Sequence, residues 1–441
     1  MMFTNKQLRQ LIIPLIIEQL LSVTVGMADS VMIASVGEAA VSGVSLVDTV
    51  MVLMINIFAA LATGGAVVAG QFIGHRREED ACRAADQLVI FTLILSVGVM
   101  AVMYAGQNLI LNGVFGSIEA DVMGHAKTYL LIVTASIPFI ALYNCGAALF
   151  RSMGNSKISM QTSMMMNAIN ITGNAVLIFG LKLGVAGAAI PTLVSRIAAA
   201  ALIMALLRRQ NQQVHISKPF SWKPDRRMIQ KILHIGVPNG LENSMFQLGK
   251  ILVLSLVATF GTASIAANAV SNTIAMFQIL PGMAVGFAIL TVVSQCVGAN
   301  DYEQAKIYTK KLIKLVYICM VGMNILVVAA LPFIIKIYNL SELTGRITTQ
   351  IIIYHALCCV TIWPMSFSMP NTLRASNDVR FTMVISIISM WTFRIAFSYL
   401  LGQFLGMGVF GVWVAMTIDW LFRAICFTVR YIKGKWKLQR I

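Results

Sequence analysis

Residues 14–18 read Pro-Leu-Ile-Ile-Glu, and residues 238–242 read Pro-Asn-Gly-Leu-Glu. Both segments lie in long apolar runs, and in both a proline precedes a carboxylate by four residues. Apolar runs alone would pair Leu with Leu, but they would seldom align a proline and a membrane carboxylate in this way. The chain therefore contains an internal duplication. The same shift of 224 in residue number also superposes Gly37 on Gly261, Gln71 on Gln295, Gly74 on Gly298 and Ala81 on Ala305.

The composition is that of an integral membrane protein. Of the 441 residues, 58% are hydrophobic and 11% are charged. A soluble domain carries about 25% charged residues, so soluble enzymes are excluded. A membrane-spanning helix needs about 20 mostly apolar residues. Hydropathy predicts twelve spans, near residues 11–34, 46–73, 87–109, 126–149, 158–181, 184–207, 230–258, 267–296, 312–335, 348–371, 381–402 and 408–430.

The basic residues predict the orientation of the chain in the membrane. If the N-terminus is cytoplasmic, 25 of the 33 Lys and Arg residues fall in cytoplasmic segments and only 4 fall in segments on the other side. Cytoplasmic segments of membrane proteins collect Lys and Arg. We therefore predict a multi-pass protein of the inner (plasma) membrane with both termini in the cytoplasm. The net charge of +16 has the same origin, so no nucleic-acid partner is predicted.

The duplication predicts two lobes, formed by residues 1–207 and 230–441, with a polar cytoplasmic linker at 208–229. Each lobe has six predicted spans, and an even number makes both lobes enter the membrane from the same side. The result is an all-α fold of two six-helix bundles, related by a pseudo-two-fold axis along the membrane normal. Such parallel repeats favour a secondary transporter that works by alternating access.

The energy source is predicted to be an ion gradient. The sequence contains no Gly-x-x-x-x-Gly-Lys loop that could hold the phosphates of ATP. We therefore predict neither an enzyme nor a cofactor, and a coupling ion that is either H⁺ or Na⁺.

Carboxylates inside the predicted spans are functional candidates because an ionised group is costly at that depth. Glu18 and Asp29 are 11 residues apart, so they lie within about 20° of one helix face and about 16 Å apart along the axis. Pro14 lies one turn before Glu18 and permits a bend, so it is the predicted hinge of the first span. Asp48 is predicted to lie at the membrane interface. The full set is Glu18, Asp29, Asp48, Glu242 and Asp419.

A stripe of amides accompanies Asp29. Asn167, Asn170 and Asn174 follow the spacing i, i+3 and i+7, which places them on one face of the fifth span. Thr192 lies in the sixth span. Carboxylate, amide and hydroxyl oxygens suit Na⁺, whereas a lone buried carboxylate could instead take up H⁺. Alternatively, the amides serve only to hold neighbouring helices together. We favour a cation-coupling site, with these ligands if the ion is Na⁺: Asp29, Asn170, Asn174 and Thr192.

The duplication provides an internal control for this site. A folding role should appear in both halves, but the second half lacks the cluster. The restriction to one half favours a function in coupling. At the shift of 224, Asp29 falls on Val253, Asn170 on Arg394, Asn174 on Ser398 and Thr192 on Met416.

The remaining charged residues give weaker predictions. Glu242 and Lys250 lie eight residues apart near one helix face, where they could contact a substrate or each other. Together with Glu18 they are candidates for a substrate cavity. Asp419 and Arg423 follow the spacing i and i+4 and predict an ion pair within the last span.

These residues resemble the multidrug and toxic compound extrusion (MATE) family of cation-coupled antiporters over nearly the whole chain. The resemblance covers the Pro14, Glu18 and Asp29 pattern of the first span and the doubled Gln-x-x-Gly ends at Gln71 and Gln295. It also covers three segments, which are Arg151-Ser-Met-Gly-Asn155, Asn170-Ile-Thr-Gly-Asn174 and Gly184-Val-Ala-Gly-Ala-Ala-Ile-Pro-Thr192.

The resemblance implies a V-shaped fold and the export of small organic, often cationic, compounds in exchange for Na⁺ or H⁺. It implies that Asp29, Asn170, Asn174 and Thr192 form the ion site of the N-terminal lobe. Many members carry Asp at the position of Asn174, so this chain has one carboxylate fewer there. The alternative is a flippase of lipid-linked oligosaccharide from the same superfamily. We expect a monomer whose partners are its substrates and the lipid bilayer.

Overall fold

The computed structural model describes residues 2–114, 119–218 and 222–438. Arg440 and residues 219–221 of the predicted linker lie outside the described residues. Within the described residues the chain is all-α. The α-helices are α1 (Asn5–Ala34), α2 (Glu38–Gly74), α3 (Glu78–Ala105), α4 (Ala120–Thr134), α5 (Ile137–Ser152), α6 (Ser156–Asn174), α7 (Ala186–Leu207), α8 (Arg226–Ala258), α9 (Thr262–Gly298), α10 (Tyr302–Ile337), α11 (Glu342–Thr361), α12 (Met369–Ala375), α13 (Val379–Ser389) and α14 (Gly408–Ile432).

Fewer helices qualify as membrane spans than the twelve predicted. Among the described residues ten helical segments are long and apolar enough, and eleven if α4 and α5, which meet at a bend of 50°, form one span. The predicted span that does not qualify is the fifth, at 158–181, which begins as α6. It is helical, but its Asn, Ser and Thr residues lower its mean hydropathy below that of a membrane-spanning helix.

The structure repeats with the period found in the sequence. α2 and α9 both contain 37 residues, and their first and last residues are related by the shift of 224. Two π-helical segments, Ala175–Gly180 and Tyr399–Phe404, follow the same shift. A π-helical turn is uncommon, so its recurrence at one register is unlike a chance match. These paired bounds confirm the duplication.

Contacts group the chain into two compact units, Arg9–Gly240 and Leu241–Ile441 with Met1–Leu8. In the first unit α2 packs against α3, α4 and α5, and α6 packs against α7. In the second unit α9 packs against α10, α11 and α12. The start of α8 belongs to the first unit, where Gly236 packs closely against Leu61 of α2. The predicted limits of the lobes and linker stay a prediction.

A buried carboxylate and an arginine form an ion pair in each half. In the first unit Glu18 Oε1 lies 3.5 Å from Arg151 Nη1, and Ser159 Oγ donates to Glu18 Oε2 over 2.9 Å. In the second unit Glu242 Oε1 lies 2.8 Å from Arg374 Nη2. Each pair connects the first long helix of its half to a helix that follows much later. Since ionised groups inside a bilayer need protein partners, these pairs explain how both carboxylates can be buried in membrane-spanning helices.

Breaking one of these pairs should destabilise the protein. In Arg374→Met, Glu242 stays buried without its nearest cation, so we expect the free energy of unfolding to fall by about 3–5 kcal/mol. A second cation, Arg423, lies 3.9 Å from the same oxygen, which favours the lower end of that range. The measurement is the Tm of the purified protein in detergent micelles.

The matched control is Lys306→Met, which removes the solvent-exposed contact of Lys306 with Glu303 at 2.9 Å and should leave the Tm unchanged. The double variant Glu242→Gln/Arg374→Met should recover much of the lost stability, because no uncompensated charge is then left behind. If Arg374→Met alone had the wild-type Tm, the ion pair between Glu242 and Arg374 would not be stabilising the protein.

Candidate cation-coupling site

The four residues predicted to bind the coupling ion lie together in the unit Arg9–Gly240. Asn174 Nδ2 donates to Asp29 Oδ1 over 2.8 Å. The side-chain amide of Asn170 lies 2.8 and 3.1 Å from the two Asp29 oxygens and 3.1 Å from Thr192 Oγ1. Both asparagines are buried, while Asp29 and Thr192 are partly exposed. The structure thus brings α1, α6 and α7 to one polar cluster.

A glycine permits the close approach that builds this cluster. Gly173 directly precedes Asn174, and a Cβ atom at Gly173 would lie only 2.6 Å from Pro191 Cβ. Real Cβ atoms do not approach other carbons so closely, so a larger residue would push α6 away from α7. Pro191 is next to Thr192 in sequence. The missing side chain therefore sets the distance between the asparagines of α6 and the hydroxyl of α7.

The amides are oriented to donate to an ionised Asp29. In the orientation that satisfies its neighbours, the Asn170 nitrogen donates to both carboxylate oxygens, and Asn174 donates to one of them. Rotation of the two amides would instead present their oxygens. The cluster would then offer carboxylate, amide and hydroxyl oxygens, the hard ligands that Na⁺ prefers. A protonated Asp29 could donate to an amide oxygen in the same way.

The cluster does not resemble a transition-metal site. In residues 2–114, 119–218 and 222–438, no three His, Cys, Asp or Glu side chains come together as metal ligands would. Asp29 is the only carboxylate of the four predicted residues. A single negative charge with neutral oxygen donors suits a monovalent ion better than a divalent one.

Two charged residues near the site were not part of the predicted cation-coupling site. Asp48 accepts a hydrogen bond of 3.1 Å from Tyr129 Oη, and Arg196 Nη1 donates to Ser136 Oγ over 2.7 Å. Both act electrostatically on Asp29. Asp48 was predicted to be interfacial because its span was predicted to begin at residue 46, whereas α2 begins at Glu38. Arg196 could have been found from its spacing, since it follows Thr192 by four residues on one face of α7.

Pro14 lies inside α1, which remains helical from Asn5 to Ala34. A proline in this position removes one backbone hydrogen bond and lowers the cost of bending. The hinge role of Pro14 stays a prediction, and so does the role of Glu18 in a substrate cavity.

The charged residues of the second unit pair differently from the prediction. Asp419 Oδ1 accepts a hydrogen bond from Ser389, and Asp419 Oδ2 lies 3.9 Å from Arg394 Nη1. Arg423 instead approaches Glu242 at 3.9 Å. The predicted Asp419–Arg423 pair is therefore wrong. The i, i+4 spacing places both side chains on one face of α14, but neighbouring elements supply closer partners for each.

Lys250 and Glu242 do not form an ion pair with each other. Glu242 is bound by Arg374 at 2.8 Å and by Ser386 Oγ at 2.7 Å. The Lys250 ammonium lies over the ring of Phe246, 5.1 Å from its centroid. Contact between either side chain and a substrate stays a prediction.

Comparison with known proteins identifies the family. A model of the MatE family matches residues 14–176 and again residues 238–400. The chain belongs to the MATE family. Both matches have the same length, and they are offset by the same shift of 224 as the internal repeat. The protein is thus a multi-pass membrane transporter and not an enzyme.

Relatives and solved structures agree with this family. Over 437 residues the chain is 28% identical to the uncharacterized transporter YisQ of Bacillus subtilis (strain 168), covering 96% of this chain and 93% of YisQ. It is 28% identical over 393 residues to the probable multidrug resistance protein YoeA of the same organism, covering 86% and 82%. The outward-facing structure of a multidrug resistance MATE family transporter aligns with a TM-score of 0.92 at 21% identity, covering 98% and 97%. This likeness confirms the MATE fold.

The hydrogen bond between Asn174 and Asp29 should contribute measurably to stability. In Asn174→Leu the Asp29 carboxylate loses a donor, and we expect the free energy of unfolding to fall by about 1.5–3 kcal/mol, since the bond involves a charged group. The Tm in detergent micelles is the measurement.

Asn167→Leu is the matched control, because Asn167 lies two turns earlier on α6 and its buried Nδ2 has no hydrogen-bond partner among the described residues. Its Tm should equal or slightly exceed that of the wild type. Equal losses in the two variants would show that Asn174 contributes only as a polar residue of the helix.

Proposed function

We propose that this MATE-family transporter is a secondary antiporter that exports organic, mostly cationic compounds in exchange for H⁺ or Na⁺. The observation that supports the proposal most is the cluster of Asp29 with Asn170, Asn174 and Thr192. A carboxylate held at membrane depth by neutral amides can gain and lose a cation. The names of relatives such as YoeA, a probable multidrug resistance protein, agree with this substrate class.

In the proposed cycle a compound enters from the cytoplasm and is released on the other side after the transporter changes conformation. H⁺ or Na⁺ then binds at Asp29 and neutralises it. Neutralisation removes the reason for both amides to donate to the carboxylate, so the contacts between α1 and α6 change. α1 bends near Pro14, and the transporter returns to accept the next compound. The transporter acts as a monomer in the plasma membrane, and the distribution of basic residues supports cytoplasmic termini.

The two coupling ions make different demands on the cluster. Na⁺ needs several oxygen ligands at once, and each additional carboxylate strengthens its binding. H⁺ needs only Asp29. Because Asn174 occupies a position where many family members have Asp, this chain offers Na⁺ one negative charge and offers H⁺ the same carboxylate. The ion can therefore be identified from the effect of restoring that second charge.

Neutralising Asp29 should abolish transport while leaving the fold intact. We expect Asp29→Asn to export a fluorescent organic cation no faster than cells that lack the transporter, because the variant can no longer alternate between charged and neutral states. Efflux is measured from cells with matched amounts of protein in the membrane, and the Tm of the purified variant checks folding.

Asp121→Asn is the matched control, since Asp121 is an exposed residue in the first turn of α4, and it should export at the wild-type rate. Wild-type efflux by Asp29→Asn would disprove coupling through this site. A wild type that exports no member of a broad panel of cations would disprove the multidrug assignment.

Asn174→Asp should increase the affinity for Na⁺. A second carboxylate next to Asp29 adds a charged ligand, and we expect the NaCl concentration that gives half of the maximal rise in Tm to fall about tenfold or more. KCl and choline chloride at equal ionic strength are the controls. If neither the wild type nor Asn174→Asp responds specifically to Na⁺, then Na⁺ is excluded and the coupling ion is H⁺.

A further inference from the structure

The two halves of the protein differ in charge at corresponding positions. At the shift of 224, Asn170 of the cation cluster corresponds to Arg394, and Asp29 corresponds to Val253. The second unit therefore has a guanidinium where the first unit has an amide, and an apolar side chain where the first has a carboxylate. A site that attracts cations in one half has become a cationic site in the other.

Arg394 is buried without adequate hydrogen-bond partners. Only 8% of the residue is exposed, and its Nε and Nη1 atoms have no hydrogen-bond partner among the described residues. The closest carboxylate oxygen is Asp419 Oδ2, at 3.9 Å from Nη1, which is too far for a hydrogen bond. The other Asp419 oxygen is already bonded to Ser389. Asp419 Oδ2 itself has no hydrogen-bond partner among the described residues, so it neutralises part of the Arg394 charge. Buried donors in native proteins nearly always have an acceptor, and the Nε donor of Arg394 has none within the part of the chain that the structure describes.

Lys250 supplies a second cation beside the same aromatic ring. Its Nζ lies 5.1 Å from the centroid of Phe246, and Arg394 Cζ lies 4.8 Å from that centroid. Lys250 is exposed and forms no ion pair within residues 2–114, 119–218 and 222–438. Gly249 brings α8 close to this region, because a Cβ there would lie 2.6 Å from Met390 Sδ. The ammonium is thus held near Arg394 although like charges repel.

The surrounding carboxylates neutralise these two cations only in part. Glu242 is paired with Arg374 at 2.8 Å and with Arg423 at 3.9 Å. In the part of the chain that the structure describes, Asp419 is the carboxylate nearest to Arg394. The connected group contains two more cations than carboxylates when all are ionised, and its members are Glu242, Lys250, Arg374, Arg394, Asp419 and Arg423.

The surroundings of these cations are also aromatic. Phe246 packs edge to face on Phe367 with ring centroids 6.4 Å apart, and Arg423 lies over Phe367 at 4.4 Å. Such rings offer an apolar surface for another ring, while the cations beside them offer charge. An occupant that matches both features has a flat apolar body and an anionic group.

We propose that Arg394 and Lys250, with the ring of Phe246 that both contact, form a binding site for the carboxylate of an aromatic compound. The carboxylate accepts hydrogen bonds from the free guanidinium donors of Arg394, whose planar fork matches carboxylate oxygens. The Lys250 ammonium neutralises the remaining charge, and the aromatic body lies against Phe246. Binding requires only this unit. Export of the bound compound rests on the proposed function.

The test is benzoate binding to the purified full-length protein in detergent. Benzoate is titrated into the millimolar range at constant ionic strength, and the rise in Tm is compared with that caused by benzamide, its neutral analogue of the same shape. We expect a saturable rise with benzoate and none with benzamide. Lys250→Gln and Arg394→Gln should each weaken benzoate binding at least tenfold.

The variants distinguish this site from benzoate binding elsewhere on the protein. Arg346→Gln, which removes an exposed arginine of the same unit, should bind benzoate like the wild type. Lys250→Gln keeps the test decisive if Arg394→Gln fails to fold, because Lys250 is exposed. Asp29→Asn should bind benzoate normally even though it does not transport. Benzoate binding therefore tests this site even if the proposed antiport is disproved.

Three outcomes would overturn the proposal. The first is an equal response to benzoate and benzamide, and the second is wild-type benzoate binding by Lys250→Gln and Arg394→Gln. The third is a Tm rise with short-chain phosphatidylglycerol but none with benzoate, which would identify a lipid phosphate as the occupant instead of an aromatic carboxylate.

Discussion

A carboxylate inside a bilayer must find its partners within the protein, because the hydrocarbon supplies none. The structure meets this requirement in two ways. Glu18 and Glu242 each have an arginine, and the resulting pairs connect distant parts of their halves. Asp29 has neutral amides as its hydrogen-bond partners. A carboxylate that is held by dipoles keeps its affinity for a cation, whereas one that is already paired has largely lost it. The difference distinguishes a carboxylate that is already paired from one that is still available to a cation.

Much of the fold and the four members of the candidate site were predictable from the sequence. The repeat at a shift of 224 and the i, i+3, i+7 spacing of the asparagines both follow from local rules. Contacts between helices were harder to predict. The sequence could not show that Gly173 allows α6 to approach Pro191, or that Ser389 and Arg394 would reach Asp419 before Arg423 could. The ion-pair partner of a side chain depends on which helices become neighbours. The spacing of residues along one helix does not determine those neighbours.

Duplication explains how one scaffold carries two different polar clusters. Both halves keep the carboxylate and arginine pair, and both keep a π-helical segment at the same register. These shared features belong to the fold. The amide cluster around Asp29 and the unpaired donors of Arg394 each occur in one half only. Once a scaffold is present twice, positions outside these shared features can diverge, and here Asn170, which lies beside a carboxylate, corresponds to Arg394 in the other half.

The polarity of α6 also bears on how the protein is made. The asparagines that surround Asp29 leave this helix too polar to qualify as a membrane span by composition. Amide groups are unfavourable in lipid unless another helix bonds to them. α7 packs extensively on α6 and brings Thr192 to Asn170. During synthesis the two helices therefore enter the membrane most favourably as a hairpin, in which α7 supplies the polar partners that lipid cannot.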